Sequence, residues 1–245
     1  MAFVFCESSW LNPVFVVESV DTLRVGINFG NALLATRDAA TGAPAGIAAD
    51  LARELGRRLR VPLEFVEFES AGTMADGAKA GVWDVAFLAA DPARSADITF
   101  TAPYLEIEAT YLVPAGSALY TIADVDREGV RIAVSDKSAY DLFLMRSVRR
   151  AQLVRAPGVD ASVSLFLAEG LEALAGLRPL LVTVADQHPG SRVLDGCFTE
   201  VRQAIGTPAG RDAKYVHDFV EDIKASGFVA GVIDKHRMRG IVTPA

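Results

Sequence analysis

Asp84-Val-Ala-Phe-Leu-Ala-Ala-Asp91-Pro92-Ala-Arg94 is the stretch that decides the fold, because it joins a buried strand to the start of a helix. Its first half is apolar apart from Asp84, which is typical of a parallel strand covered on both faces. Asp91 and Pro92 then supply an N-cap and a proline at the first helical position. The stretch therefore predicts a strand followed directly by a helix, the unit of an open α/β sheet.

Arg94 falls in the first turn of this predicted helix, at the carboxyl end of the strand. Open α/β sheets place their ligands at that end, and free backbone N–H groups and the helix dipole favour anions there. A guanidinium at this point is suited to capture a carboxylate or a phosphate. The alternative is an exposed arginine that pairs with Asp91 or Asp97.

Outward from this stretch, strand and helix patterns alternate along the whole chain. Before Pro114 and Gly116 they are strand 23–27, helix 46–59, strand 61–68, helix 74–79 and strand 83–88. After them the alternation restarts with strand 130–134, helix 138–149, strand 151–155, helix 162–167 and strand 171–174, and an amphipathic helix follows at 211–226. The pattern predicts two α/β units with mostly parallel strands, with a crossover near residues 111–117.

Ser138 and Asp141 have the Ser-x-x-Asp spacing of a capping box at the start of the helix in the second unit. The interpretation as a purely structural helix cap and the interpretation as a ligand site both stand at this point. Asn28 and Asn31 follow the first strand, where they offer amide groups to a cleft or stabilise a turn.

Composition excludes several classes of protein. The chain has 245 residues and a net charge of −7, which argues against nucleic acid as a partner. No apolar run reaches membrane-spanning length, so we predict that it is not an integral membrane protein. Residues 1–20 lack a basic segment and carry Glu7 and Glu18, unlike a secretory signal. Cys6 and Cys197 and the three histidines lack metal-ligand spacing, so we expect no metal and two reduced cysteines.

Five segments, in order and spacing, resemble the bacterial extracellular solute-binding protein family 3, the binding proteins of amino-acid ABC transporters. They are Leu23-Arg-Val-Gly-Ile-Asn28, Gly46-Ile-Ala-Ala-Asp50-Leu-Ala-Arg-Glu-Leu, 61–67, Gly81-Val-Trp-Asp84-Val and 94–104. Lys137-Ser-Ala-Tyr-Asp-Leu-Phe-Leu and Lys224-Ala-Ser-Gly-Phe-Val-Ala further resemble a proteobacterial subgroup that commonly lacks a signal peptide. Lys137 stands where that subgroup usually has glycine.

The resemblance implies an α/β protein with the two-lobed type II periplasmic-binding-protein fold, each lobe a mixed, mostly parallel sheet flanked by helices. It implies an N-terminal arm at residues 1–22, a discontinuous first lobe at 23–114 and 206–245, and a second lobe at 115–205. The two crossings would form a hinge about which the lobes close on a ligand. The family resemblance implies a periplasmic location, whereas the missing signal favours the cytoplasm.

The function implied by the resemblance is binding of a small carboxylate-bearing solute, an amino acid or a related organic acid, without a cofactor. An ABC transporter permease is the expected partner if the protein is exported. The expected ligand contacts are Arg94, Asn28, Asn31, Ala89, Ser138, Ala139, Tyr140 and Arg178. No catalytic residue is expected.

Three departures from the family pattern bear on the ligand. The aromatic residue that stacks on the ligand side chain is missing, with Asn31 near its position and Phe29 as a candidate substitute. Leu177 and Arg178 occupy the region where amino-acid binders usually place a carboxylate, and Phe87 to Ala90 replace a hydroxyl pair. Arg178, as a second cation near Arg94, would favour a dicarboxylate or another anionic ligand without a free ammonium. The alternative is that Arg178 faces solvent.

Two alternative functions remain open. The same fold supports cyclohexadienyl dehydratases, for which Glu106, Glu108 and Glu172 are the candidate carboxylates. The other alternative is a cytoplasmic metabolite sensor that acts on a separate partner protein.

Overall fold

The structure is a computed structural model that describes residues 21–238 and 240–244. The predicted N-terminal arm therefore lies almost wholly outside the described residues, as does Cys6. Within the described part of the chain there are thirteen strands and eight α-helices. No helix among these residues is both long enough and apolar enough to cross a lipid bilayer.

The strands follow one another along both halves of the chain. They are β1 Leu23–Asn28, β2 Thr36–Arg37, β3 Pro44–Ala45, β4 Leu63–Phe68, β5 Val85–Ala89, β6 Ile98–Phe100, β7 Leu105–Val113, β8 Arg131–Ser135, β9 Gln152–Ala156, β10 Ala173–Leu177, β11 Arg192–Val193, β12 Thr199–Pro208 and β13 Ile241–Val242. All except the β2–β3 hairpin belong to one sheet. The expected alternation of strands and helices is therefore present.

Strand pairing divides this sheet into two parallel parts joined by two long strands. In the first lobe, β1 lies between β4 and β5 and pairs parallel with both. In the second lobe, β8 lies between β10 and β9 and again pairs parallel with both. Strands β7 and β12 are antiparallel to each other and connect β5 to β10. The residue boundaries of the two lobes given by the sequence stay a prediction.

The helices cover the two parallel parts. They are α1 Ile47–Leu59, α2 Ala71–Asp76, α3 Ile122–Val125, α4 Ala139–Ser147, α5 Val159–Ala168, α6 Arg178–Gln187, α7 Lys214–Ala225 and α8 Phe228–Lys235. In α1, the spacing of Ile47, Leu51 and Leu55 places all three on one face, and each is buried. Packing of such faces on the sheet forms the core of each lobe.

Several helices differ from the sequence prediction: α5 begins three residues early, and α3 and α6 were not predicted. Helix α2 begins three residues early, because the Ser70 hydroxyl caps it by accepting from the Thr73 N–H at 3.2 Å. The helix predicted after Asp91 is a single 3₁₀ turn, Pro92–Arg94, although Asp91 does cap it as predicted, by accepting from the Ala93 N–H at 2.8 Å. The predicted helix 211–226 is α7, and a separate helix, α8, follows Gly227, whose φ of 74° ends the first.

Trp83 anchors the space between α2 and the sheet. Its side chain is fully buried, and its indole N–H donates to the Met74 carbonyl at 2.8 Å. Met74, Leu88 and Ile98 are buried in the same cluster. This packing fixes α2, whose first residue, Ala71, lines the cavity described next.

Candidate functional site

A cavity of about 320 Å³ lies between the two lobes, at the carboxyl ends of their parallel strands. The first lobe contributes the residues at the carboxyl ends of β1, β4 and β5, namely 28–35, 69–71 and 87–89. The second lobe contributes those at the ends of β8, β9 and β10, including Ser135, 138–140, 157–161 and Leu177. Six parallel strands thus end at one cavity, the arrangement in which α/β sheets bind ligands.

The start of α4 presents free backbone donors to this cavity. The Ser138 hydroxyl accepts from the Asp141 N–H at 3.1 Å, which confirms the predicted N-cap. The Asp141 carboxylate accepts from the Lys137 N–H at 2.9 Å instead of completing the box at Ser138. The N–H groups of Ala139 and Tyr140 have no acceptor among the described residues, and both residues line the cavity. Two donors at the positive end of a helix therefore face the cavity.

Tyr140 adds a neutral hydroxyl to the same wall. Burial raises the pKa of its phenol to about 12, despite hydrogen bonds with Ser138 and Ser135 that act in the opposite direction. The phenol is therefore protonated at physiological pH. The Ser135 and Ser138 side chains are buried beside it, so this wall combines three hydroxyl groups with the two backbone donors.

Asn28 and Asn31 line the opposite wall, on the first lobe. The Asn28 side chain accepts from the Gly30 N–H at 3.0 Å, and the Asn31 carbonyl accepts from the N–H groups of Leu34 and Ala35 at 3.0 Å each. Asn28 thus stabilises the turn and also lines the cavity. The two interpretations from sequence, a turn residue and a residue of the cleft, are therefore compatible. Ala89 lines the cavity at the end of β5.

Arg94 does not line the cavity. Its side chain is buried, with 6% exposure, and donates to the carbonyls of Ala89 at 2.6 Å and Lys137 at 2.8 Å. Burial lowers the pKa of its guanidinium to about 10, so it remains charged at neutral pH. It forms no ion pair with Asp91 or Asp97, which instead contact Arg146 at 2.8 Å and Lys79 at 3.3 Å. Arg94 thus bridges the lobes, an arrangement that neither interpretation from sequence included.

Arg178 also lies outside the cavity lining. Its guanidinium pairs with Glu108 and donates to the carbonyls of Leu194 and Gly196 at the base of α6. It adds no positive charge to the cavity. Among the described residues that line the cavity, the charged side chains are Glu69 and Asp160, and both are exposed. The lining therefore contains two carboxylates and no lysine or arginine.

Two features of the cavity were missed from sequence. Gln203 on β12 is 4% exposed and lines the cavity, and no hydrogen bond of its side-chain amide is found within the described residues. The available signal was a polar residue on the inward face of β12, between Val201 and Ile205, where the alternation with exposed Glu200 and Arg202 predicts an apolar side chain. The start of α5 also lines the cavity, after Gly158 with a φ of 90°. There the signal was the pair Pro157-Gly158 between a strand and a helix.

The three carboxylates considered for catalysis are each held by an arginine outside the cavity lining. Glu106 lies 3.1 Å from Arg202, and Glu172 lies 2.9 Å from Arg131. Glu108 pairs with Arg178 as described above. None of the three lines the cavity. The geometry therefore offers no general acid or base from this set.

Comparison with known proteins identifies the relatives of this chain. The model of the bacterial extracellular solute-binding proteins, family 3, matches residues 23–238. Among solved structures, an ancestral arginine-binding protein bound to arginine has a TM-score of 0.76 and 18% identity, covering 88% of this chain and 98% of its own. A binding component of an ABC transporter from Wolinella succinogenes, complexed with lysine, has a TM-score of 0.75 and 20% identity, covering 88% and 95%.

A further structural neighbour is an ancestral amino acid-binding protein described as a precursor of cyclohexadienyl dehydratase. Its TM-score is 0.74 and its identity 19%, with coverage of 88% of this chain and 94% of its own. No curated protein matches the sequence significantly. The structural likenesses confirm the expected two-lobed type II fold.

Proposed function

Because the chain belongs to the bacterial extracellular solute-binding proteins, family 3, we propose that it binds a small carboxylate-bearing solute in the cavity between its lobes. The solute is an amino acid or a related organic acid, and the protein serves as the substrate-binding component of an ABC transporter. The observation that carries this proposal is the pair of free N–H groups at the start of α4, which face a cavity that both lobes line.

The carboxylate of the solute binds at the start of α4 in this proposal. The N–H groups of Ala139 and Tyr140 donate to it, and the helix dipole adds to the attraction. Arg94 supports the site indirectly, because it holds the Ala89 carbonyl and so fixes one wall of the cavity. This role replaces the direct contact expected from sequence.

The charge of the lining favours a zwitterionic amino acid over a dicarboxylate. Glu69 and Asp160 are exposed members of the lining and contribute negative charge that attracts an ammonium group, although the Glu69 carboxylate also lies 3.9 Å from Arg37. A second carboxylate on the solute would meet no cationic side chain among the lining residues that the structure describes. The neighbouring structures bound to arginine and complexed with lysine agree with this class.

A thermal-shift screen of the purified protein tests the proposal. The panel contains amino acids, dicarboxylates, keto acids and prephenate. A ligand at a hundred times its dissociation constant adds about 2.7 kcal/mol to the free energy of unfolding, which raises the melting temperature measurably. We expect an amino acid to give the largest shift. A protein that no compound on the panel stabilises would contradict the proposal.

Ala139→Pro is expected to weaken binding of that amino acid about ten- to hundredfold. Proline removes the N–H of residue 139 while fitting the first position of a helix, and Ser138 already has the extended backbone that precedes proline. The lost bond is a charge-assisted one of about 1.5–3 kcal/mol. The measurement is the dissociation constant by calorimetry. Ala139→Gly keeps the N–H and is the control; equal losses in both variants would exclude this donor as a ligand contact.

Gln203→Leu is expected to weaken binding about fivefold while leaving the ligand-free protein as stable as the wild type. The substitution keeps the size of the side chain and removes one neutral hydrogen bond to the solute, worth about 1 kcal/mol. Calorimetry and urea unfolding measure the two quantities. Gln152→Leu, at an exposed position on β9, is the matched control. Unchanged affinity in Gln203→Leu would show that the Gln203 side chain does not contact the solute.

We also propose that the cavity binds without catalysis. The arginine partners of Glu106, Glu108 and Glu172 support this, since each carboxylate is held away from the cavity. Prephenate incubated with the protein should be recovered intact by mass spectrometry. Conversion to a dehydrated product would overturn this part of the proposal.

A further inference from the structure

We infer that the protein closes its own cleft through an interlobe latch, which we define as Asp76, Asp91, Arg94, Lys137 and Arg146. The first three belong to the first lobe and the other two to the second lobe. Each contact of the latch joins protein atoms to protein atoms, so it requires no solute. The inference concerns the closing of the lobes and is independent of which solute binds.

The ion pair of Asp91 with Arg146 is the first contact of the latch. The Arg146 guanidinium on α4 donates to both carboxylate oxygens, at 2.9 and 2.8 Å. Asp91 follows β5 in the first lobe and is 6% exposed, so water screens this pair less than a surface pair. The same carboxylate caps the 3₁₀ turn through the Ala93 N–H, which holds it in position. A bidentate, partly buried ion pair therefore connects the two lobes.

Arg94 forms the second contact. One of its terminal nitrogens donates to Ala89 in its own lobe and the other to the Lys137 carbonyl in the second lobe. The guanidinium is nearly inaccessible to water in this arrangement, so the low local dielectric strengthens its charge-assisted bond to the Lys137 carbonyl, and that bond is lost to water when the lobes open. This gives the closed arrangement an advantage over the open one.

The backbone of Lys137 is shaped for this contact. Its φ of 53° is left-handed, a conformation that favours glycine, and the Asp141 carboxylate holds its N–H. Its side chain crosses to the first lobe, where the ammonium lies 2.9 Å from Asp76. The stem passes so close to Gly72 that a Cβ there would lie 2.8 Å from the Lys137 Cβ. Lys137 thus contacts the first lobe through its carbonyl, its stem and its charge.

The functional consequence is a closed state that is populated before a solute arrives. A solute reaches the cavity only in the fraction of molecules whose latch is open, and the latch sets that fraction. Loss of the latch should open the lobes without unfolding either of them.

The distance between two spin labels, measured by double electron–electron resonance on the ligand-free protein, tests the latch. Nitroxide labels at Val82→Cys and Leu167→Cys, both exposed and on different lobes, are introduced with Cys6 and Cys197 replaced by serine. With the latch intact we expect one short distance. Arg146→Ala should shift the distribution to a longer distance, and Asp91→Asn, which keeps an acceptor for the Ala93 N–H, should shift it partly.

Arg150→Ala is the matched control, because this exposed arginine forms no salt bridge in the part of the chain that the structure describes. It should leave the distance unchanged. Circular dichroism verifies that each variant is folded. Identical distance distributions for the intact latch and for both Arg146→Ala and Asp91→Asn, whether short or long, would overturn the inference. No solute is added in this experiment, so a failure of the latch inference can be distinguished from a failure of the proposed solute binding.

Discussion

Gly46→Ala should destabilise the protein by about 3 kcal/mol and weaken solute binding at the same time. Gly46 has a φ of 98°, a region that side chains other than hydrogen rarely allow. A Cβ at this position would lie 2.6 Å from the Leu34 carbonyl oxygen. That oxygen accepts from the Ala48 N–H at 2.9 Å, and Leu34 and Ala48 both line the cavity. The strain therefore reaches the cavity wall directly.

Urea unfolding and the thermal-shift response to the amino acid found in the screen measure the two effects of Gly46→Ala. Gly81→Ala is the control, because Gly81 also has a positive φ, 61°, but a Cβ there meets nothing within 4 Å. It should cost only about 1 kcal/mol, from the backbone conformation alone. Equal losses in the two variants would show that the contact with Leu34 adds nothing.

Trp83→Ala should destabilise the protein by about 4 kcal/mol, the largest effect that we expect from one substitution. The indole is fully buried between α2 and the sheet, beside Met74 and Ile98. Its removal leaves a cavity in the core and deprives the Met74 carbonyl of its donor at 2.8 Å. Both losses act on the packing of α2, so we also expect weaker solute binding through Ala71.

Urea unfolding again measures the change in stability, and Trp83→Phe separates the two contributions. Phenylalanine fills much of the space but cannot donate, so Trp83→Phe should lose less than Trp83→Ala. Val82→Ala is the exposed control beside it and should change the free energy of unfolding by less than about 0.5 kcal/mol. A loss in Trp83→Ala no larger than that in Val82→Ala would contradict the assignment of Trp83 to the core.

Local patterns predicted most of the elements because hydrophobic periodicity records which face of a segment is buried. The strand that ends at Ala89, the cap at Asp91 and the N-cap at Ser138 were all identified from adjacent residues. Each of these three features depends on residues within a few positions of one another. The family resemblance, and not a local pattern, placed the start of α4 at the cavity.

The sequence by itself determined the alternation of strands and helices, the family and the location of the cavity at the strand ends. Only the tertiary structure decided where Arg94 points, because its two acceptors, Ala89 and Lys137, lie in different lobes and meet only after folding. The same holds for Gln203, whose exposure to the cavity depends on how β12 joins the lobes. A side chain whose partners are distant in sequence leaves no local pattern, and for that reason its role follows from the fold alone.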